Sequence, residues 1–75
     1  MRWTINEIET FLAVIDAGSI SGAAIRADVS KSVISKRISD FEAALDTALF
    51  TRHAGRITPT DAALTLAESL RTALV

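Results

Sequence analysis

Apolar residues recur at the three- to four-residue spacing of amphipathic helices in four stretches of the chain. The apolar face of the first stretch consists of Ile5, Ile8, Phe11, Leu12 and Ile15. Thr4 and Glu7 have the spacing of a capping box, and Trp3 is placed to pack against Ile8. Gly18 is a natural C-terminal stop. The pattern therefore predicts a core helix that begins near Thr4 and ends at Gly18.

A second and a third helix are predicted on either side of a short turn at residues 28–30. Ser19 or Ser21 is the expected cap of the second helix. This helix is short, and the side chains expected to let another helix approach closely are Ala23, Ala24 and Ile25. Ser30 is the expected cap of the third helix, predicted over about residues 30–45, and its buried face consists of Ile34, Ile38, Phe41 and Leu45. Two helices joined by a turn of this length are typical of a helix-turn-helix.

The opposite face of the third helix combines short hydroxyls with long cations, and its residues are Lys31, Ser32, Ser35, Lys36 and Ser39. Serine hydroxyls and lysine ammonium groups can reach phosphates and base edges in a DNA groove. The N-terminal end of the helix also offers free amides to a phosphate. An ordinary solvated helix face has a similar composition, so the pattern alone leaves both interpretations open.

Residues 49–58 predict a small β-hairpin, because two short runs, 49–52 and 56–58, flank His53-Ala54-Gly55. This hairpin would be a wing beside the helix-turn-helix. Arg52 and Arg56 lie near its tip and can contact phosphates or a minor groove. The alternatives are surface solubility, or for Arg52 an ion pair that fixes the wing to the body.

A last helix is predicted over residues 59–75, because Thr58-Pro59-Thr60-Asp61 supplies a cap, a proline for the first turn and an early acid. Its apolar stripe consists of Ala63, Leu66, Ala67, Leu70 and Leu74. Few partners remain for this stripe in so small a domain, which favours pairing with a second copy of the chain. The alternative is that the helix folds back on the domain's own core.

Composition restricts the function further. The 75 residues suit one small domain, and a net charge of −1 argues against a strongly basic nucleic-acid-binding surface. The charge is unevenly distributed, however: Lys31, Lys36 and Arg37 lie between Val29 and Ser39 with no acid among them. A local positive face is therefore compatible with an acidic whole, although we expect weak non-specific affinity for DNA.

Several function classes find no support in the sequence. There is no cysteine, the three glycines are scattered, and His53, the only histidine, is expected at a loop tip without a positioned base. We therefore expect no catalytic residue, no metal site and no cofactor. The absence of a membrane-length apolar run and of a signal peptide makes the cytoplasm the expected location, with no membrane partner.

The chain resembles the N-terminal DNA-binding domain of LysR-type transcriptional regulators over nearly its whole length. The matching positions are Phe11, Ala13-Val14, Gly18-Ser19-Ile20-Ser21, Ala23-Ala24, Val29-Ser30, Ile34-Ser35, Ile38, Glu42, Leu45, Leu49-Phe50, Arg52, Thr60 and Ala62. Their order and spacing agree throughout with those of the family. Each short match is weak alone, but together they are specific.

The resemblance implies a mainly α fold: a winged helix-turn-helix with a three-helix body over residues 1–58, followed by a linker helix over 59–75 that mediates homodimerisation. It implies that Ser30, Lys31, Ser32, Ser35 and Lys36 face the major groove of double-stranded DNA. Arg37 and Ser21 would be candidates for backbone contacts, and Arg52 would lie near the wing. A separate effector-binding domain normally follows this region. This chain does not contain it, so we expect no small-molecule ligand here.

The sequence departs from the family's usual pattern at four places. The family usually has Leu at Ala27, Gln-Pro at Lys31-Ser32, Gly at Asp46 and Gly at Ala63. Lys31 replaces an amide suited to adenine with a cation suited to guanine or phosphate, which affects sequence preference. Asp46 can adopt the left-handed conformation, although less easily than glycine.

Two functions remain in view. The first is a sequence-specific DNA-binding domain of a transcriptional regulator, in the LysR family or another winged-helix family. The second is a protein-interaction module that keeps the helix-turn-helix body but has no useful DNA affinity.

Overall fold

The structure, a computed structural model, describes residues 5–74 of the chain. The elements in chain order are α1 (Ile5–Ala17), α2 (Ile20–Ala27), α3 (Lys31–Leu45), β1 (Phe50–His53), β2 (Arg56–Pro59) and α4 (Asp61–Leu74). The predicted winged helix-turn-helix fold followed by a further helix is therefore confirmed. Thr4 and Trp3, which carry the predicted capping box and its apolar contact, lie outside the described residues.

Serine side chains begin both helices of the helix-turn-helix. The Ser19 hydroxyl accepts a hydrogen bond from the Gly22 amide at 2.9 Å, which selects Ser19 over Ser21 as the cap of α2. The Ser30 hydroxyl accepts from the Val33 amide at 3.2 Å at the start of α3. Each cap satisfies one of the amides that have no partner within the helix. Local sequence therefore fixes both helix starts.

The first three helices each end at a residue in the left-handed conformation. Gly18 has φ 73°, and its amide donates to the Val14 carbonyl at 2.8 Å, so α1 ends as predicted. Asp28 (φ 56°) ends α2 and Asp46 (φ 52°) ends α3 in the same conformation. Aspartate tolerates this region better than most residues with a Cβ, although less well than glycine. The expectation for Asp46 is thus confirmed.

One apolar core joins all the helices and the base of the wing. Its buried residues are Ile8, Phe11, Val14, Ala23, Ala24, Ile34, Ile38, Phe41, Leu49, Phe50, Ala63 and Ala67. Phe11 lies at the centre, with its ring centroid 5.6 Å from that of Phe41 in a T-shaped pair and 5.8 Å from that of Phe50. The core packs α1 against both helices of the helix-turn-helix and holds the first residue of the wing.

The structure corrects the assignment of Ile25 to the packing side of α2. Ala23 and Ala24 are buried as expected, but Ile25 is 81% exposed. Position 25 is four residues after Ser21, so the two side chains share the outer face of this short helix. Of these three residues, only Ala23 and Ala24 therefore lie on the closely packed side of α2.

The wing is a two-stranded antiparallel hairpin that pairs Phe50 with Pro59 and His53 with Arg56. Ala54 (φ 51°) and Gly55 (φ 78°) form its two-residue turn, and two positive φ values in succession match the twist of a hairpin. His53 is therefore the last residue of β1, and the prediction that it lies in the loop is wrong.

The start of α4 also differs from the prediction. Pro59 ends β2 rather than occupying the first helical turn, and α4 begins at Asp61. The Thr60 hydroxyl accepts from the Ala63 amide at 3.2 Å and donates to the Ala48 carbonyl at 2.8 Å. A proline suits this place in the strand because a two-stranded hairpin leaves outward-facing amides without a ladder partner. Thr60 thus joins the base of the wing to α4.

Candidate nucleic-acid interface

The outward face of α3 carries the polar residues predicted for it. Lys31, Ser32, Lys36 and Ser39 are exposed, and Ser35 is half-buried. The buried residues Ile34, Ile38 and Phe41 occupy the opposite side of the helix. The face is therefore free of the domain's own core and offers two ammonium groups and three hydroxyls along about two and a half turns.

Arg37 lies at the contact between α1 and α3. Its guanidinium donates to the Thr10 hydroxyl at 3.4 Å, and Thr10 is only 4% exposed. Arg37 itself is half-buried and lines a surface depression together with Ala13 and Arg26. The structure therefore separates Arg37 from the exposed cations of α3 and gives it a structural partner.

Lys36 has a charged partner one turn further along α3. Its ammonium lies 2.9 Å from the Asp40 carboxylate, and the two side chains are 75% and 53% exposed. An ion pair this exposed contributes little to stability, about 0.2–1 kcal/mol, and salt screens it. Asp40 directly follows the acid-free segment noted in the sequence, so it modifies the charge of the face at its C-terminal end.

A groove of about 540 Å³ separates the start of α2 from the wing. Ser21, Arg52 and Arg56 line it, together with the turn residues Gly18 and Gly55. Ser21, Arg52 and Arg56 are predicted DNA contacts, and all three side chains are exposed. The groove thus combines two guanidinium groups with the positive end of α2, an arrangement that attracts a phosphate.

A second groove lies between α2 and the start of α3, and Ser21 lines both grooves. Ile25, Ser30 and Lys31 line the second one. The two grooves and the N-terminal end of α3 therefore form one continuous surface. Sequence reasoning missed Ile25 here, although its four-residue spacing from Ser21 was the available signal.

The wing is held against α3 by Glu42. One oxygen of its carboxylate accepts hydrogen bonds from the Leu49 amide at 2.7 Å and from the Phe50 amide at 3.2 Å. Bonds from backbone amides to a carboxylate are stronger than those to a neutral acceptor. Glu42 therefore fixes the position of β1, and with it Arg52, relative to α3.

The predicted dimerisation residues are largely directed toward the domain itself. Ala63 is fully buried, Ala67 is 5% exposed, and Leu66 and Leu70 are half-buried against the same core. The side chain of Leu74 lies outside the described part. The sequence left open the alternative that this helix folds back on the domain's own core. That alternative explains why Ala63 and Ala67 are buried.

The N-terminal part of α4 packs on the core, while its last turns carry an ion pair to another helix. The Arg71 guanidinium binds the Asp16 carboxylate at the end of α1, and both side chains are 49% exposed. At the other end of the helix, the Thr60 hydroxyl donates to the Ala48 carbonyl. Contacts at both ends thus join α4 to the rest of the domain.

Metal and membrane sites find no support in the described part of the chain. Within residues 5–74, no group of three or more His, Asp or Glu side chains is placed to hold a metal ion. None of the helices in this region has the length and apolar character needed to cross a membrane.

A helix-turn-helix with a β-hairpin next to its second helix defines the class of winged helix-turn-helix domains. Residues 5–64 match the family described as "Bacterial regulatory helix-turn-helix protein, lysR family". The chain belongs to this family of transcriptional regulators.

Three known proteins illustrate the similarity. The octopine catabolism/uptake operon regulatory protein OccR of Rhizobium meliloti is 38% identical over 71 residues, which cover 95% of this chain and 24% of OccR. A probable transcriptional regulator of Pseudomonas aeruginosa is 30% identical, with a TM-score of 0.86 over 97% of this chain and 24% of that chain. This chain thus spans about a quarter of the length of both proteins.

The third is the DNA-binding domain of CbnR, whose crystal structure is a complex with DNA. It is 31% identical, with a TM-score of 0.88, and the match covers 95% of this chain and 82% of that one. The similarity therefore extends over most of both chains.

Proposed function

We propose that this chain is the sequence-specific DNA-binding domain of a LysR-type bacterial transcriptional regulator, which places the N-terminal half of α3 in the major groove and acts as a dimer. The observation that carries the proposal is the continuous polar surface formed by α3, the start of α2 and the wing. The CbnR domain, similar in fold and in sequence, is described in a complex with DNA.

Base edges are read by the first turns of α3 in this proposal. Lys31, Ser32 and Ser35 occupy the end of the recognition helix that enters the groove in helix-turn-helix proteins. Lys31 favours guanine acceptors or a phosphate, and the hydroxyls accept or donate at a base edge. Lys36 and Ser39 lie one turn further along and contact the groove wall.

Phosphates on either side are bound by the wing and the start of α2. Ser21, Arg52 and Arg56 line the groove between these elements. Such contacts set the register of the domain on the duplex without reading sequence. Arg37 remains a structural residue, because its guanidinium is directed at Thr10.

Dimerisation through α4 uses the parts of its apolar stripe that the core leaves uncovered. Leu66 and Leu70 are half-buried, so each offers one side to a second copy, whereas Ala63 and Ala67 stay in the core. Sedimentation equilibrium over a range of concentrations tests this step. A monomer at high micromolar concentration would contradict pairing through α4.

The proposed role is binding, without catalysis, and its setting is the cytoplasm, where bacterial DNA is found. His53 is exposed at the end of β1, where it pairs with Arg56 across the hairpin.

Fluorescence anisotropy on a mixed-sequence duplex across a salt series tests the proposal. Contacts from three cations (Lys31, Arg52 and Arg56) give a slope of about −2.7 for one domain in a plot of log affinity against log salt, since each contact contributes about −0.9 and the Lys36 ammonium is paired with Asp40. Arg56→Ala is expected to make the slope shallower by about 0.9.

Arg26→Ala is the matched control, because Arg26 is exposed but lines the depression near α1. Its slope is expected to equal that of the unchanged chain. No binding at low salt and high protein concentration would instead favour the interaction module without DNA affinity.

A further inference from the structure

The charge of the recognition face changes along α3. Lys31 and Lys36 are exposed cations, and Asp40 is an exposed acid on the same side of the helix as Lys36. Asp40 is one turn nearer the C-terminus, which corresponds to about 6 Å along the helix axis. The ion pair therefore directs the Lys36 ammonium toward the C-terminal half of α3, away from the end proposed to enter the groove.

The order of the two residues makes the pair weak. In helices, an acid that precedes a base by four residues interacts better than a base that precedes an acid, and here the base comes first. Both side chains are also more than half exposed, so water and salt compete with the bond. A DNA phosphate can consequently bind the Lys36 ammonium, but it must first displace the Asp40 carboxylate.

We infer that Asp40 is a specificity-determining residue that lowers non-specific affinity for DNA by holding Lys36 and by repelling phosphates beside α3. The inference rests on the proposed DNA-binding function and deepens it. An unspecific duplex gains little from Lys36, because each contact with its phosphates must first break the ion pair. A duplex that also satisfies the first turns of α3 offsets that loss through base contacts.

Asp40 thereby reduces the number of cations that the basic face of this domain, whose net charge is −1, offers to a non-specific duplex. Non-specific binding depends on the number of phosphates that cations neutralise. The ion pair with Asp40 therefore keeps the Lys36 ammonium from neutralising a phosphate until the DNA is closely docked. Asp40 thus acts on selectivity, while the hydroxyls of α3 remain available for base edges.

The experiment compares Asp40→Asn with the unchanged chain on a fluorescein-labelled mixed-sequence duplex across a salt series. The substitution keeps the size of the side chain and removes its charge. We expect about a 1.4- to fivefold gain in affinity, the range of an exposed ion pair, and a slope steeper by about 0.9 as Lys36 gains a phosphate.

Asp46→Asn is the matched control. It makes the same change of charge on the same helix, about 9 Å further along, which is close to the screening length at moderate salt. Asparagine also tolerates the left-handed conformation of Asp46. We expect its affinity and slope to stay near those of the unchanged chain.

A double-mutant cycle with Lys36→Ala identifies the cause. If Asp40 acts mainly through Lys36, most of the gain from Asp40→Asn disappears in the Lys36→Ala background. Circular dichroism verifies that all variants fold.

Two outcomes separate the inference from the proposed function. If the unchanged chain binds DNA with a salt-dependent slope, but Asp40→Asn binds no better than Asp46→Asn, the inference is overturned while the proposed function stands. If neither the unchanged chain nor Asp40→Asn binds at low salt, the proposed function fails and the inference fails with it.

Discussion

Replacing Glu42 with alanine removes the acceptor that holds the start of the wing against α3. The Glu42 carboxylate accepts hydrogen bonds from the Leu49 and Phe50 amides at 2.7 Å and 3.2 Å. Leu49 is 1% exposed and Phe50 is 9% exposed, so little water is available to replace the lost acceptor. The change therefore leaves two backbone donors without a partner in a region that the core shields.

The expected loss follows from those two donors. A shielded donor that loses its partner costs about 1–3 kcal/mol, and partial access of water at the edge of the core favours the lower half of that range. We expect Glu42→Ala to lower the free energy of unfolding by about 2–4 kcal/mol. A domain of this size has a total of only about 4–11 kcal/mol, so the effect is easily measured.

Urea denaturation followed by circular dichroism measures the loss, and Glu42→Gln is the matched variant. Glutamine keeps an amide oxygen that can accept both bonds but lacks the charge, so we expect it to lose about half as much as alanine or less. A Glu42→Ala variant within about 0.5 kcal/mol of the unchanged chain would contradict this role of the carboxylate, since that is the range of ordinary surface substitutions. Equal losses for alanine and glutamine would refute the role of the acceptor geometry.

Three further predictions test other parts of the account. Lys36→Ala is expected to weaken specific DNA binding in an anisotropy titration more than Arg26→Ala, because Arg26 lies away from the proposed interface, and equal losses would contradict the assignment of faces. Ile34→Ala should lower the free energy of unfolding by about 2–5 kcal/mol, since Ile34 is fully buried, whereas Ile25→Ala should change it by less than about 0.5 kcal/mol; similar losses in urea denaturation would contradict the burial of these residues. Ala54→Asn should raise the thermal midpoint of the domain's unfolding by relieving about 0.5–1 kcal/mol of strain at a positive φ, and a lower midpoint would argue against this turn.

Local signals predicted much of this fold. Ser30 caps α3 through an amide three residues away, and Gly18 ends α1 through a carbonyl four residues back. Such features depend on neighbours in sequence, so the pattern of residues determines them. The polar face of α3 was predictable for the same reason, since its helical period is clear over fifteen residues.

Features that depend on distant residues were not predictable in the same way. Arg37 contacts Thr10, which lies 27 positions earlier, and nothing local distinguishes it from the exposed cation beside it. Ile25 belongs to a helix of eight residues, too short for its apolar period to define a face. Pro59 suits the first turn of a helix and the end of an edge strand equally well, so only the pairing with Phe50 decides between them.

The most direct test of the central claim is a titration of the isotopically labelled chain with a mixed-sequence duplex, followed by backbone amide shifts in NMR spectra. The account predicts shifts concentrated in residues 30–39, around Ser21 and in the wing near Arg52 and Arg56, which fade as salt is added. Shifts confined to α1 and α4, with the first turns of α3 unchanged, would contradict the claim that this surface binds DNA.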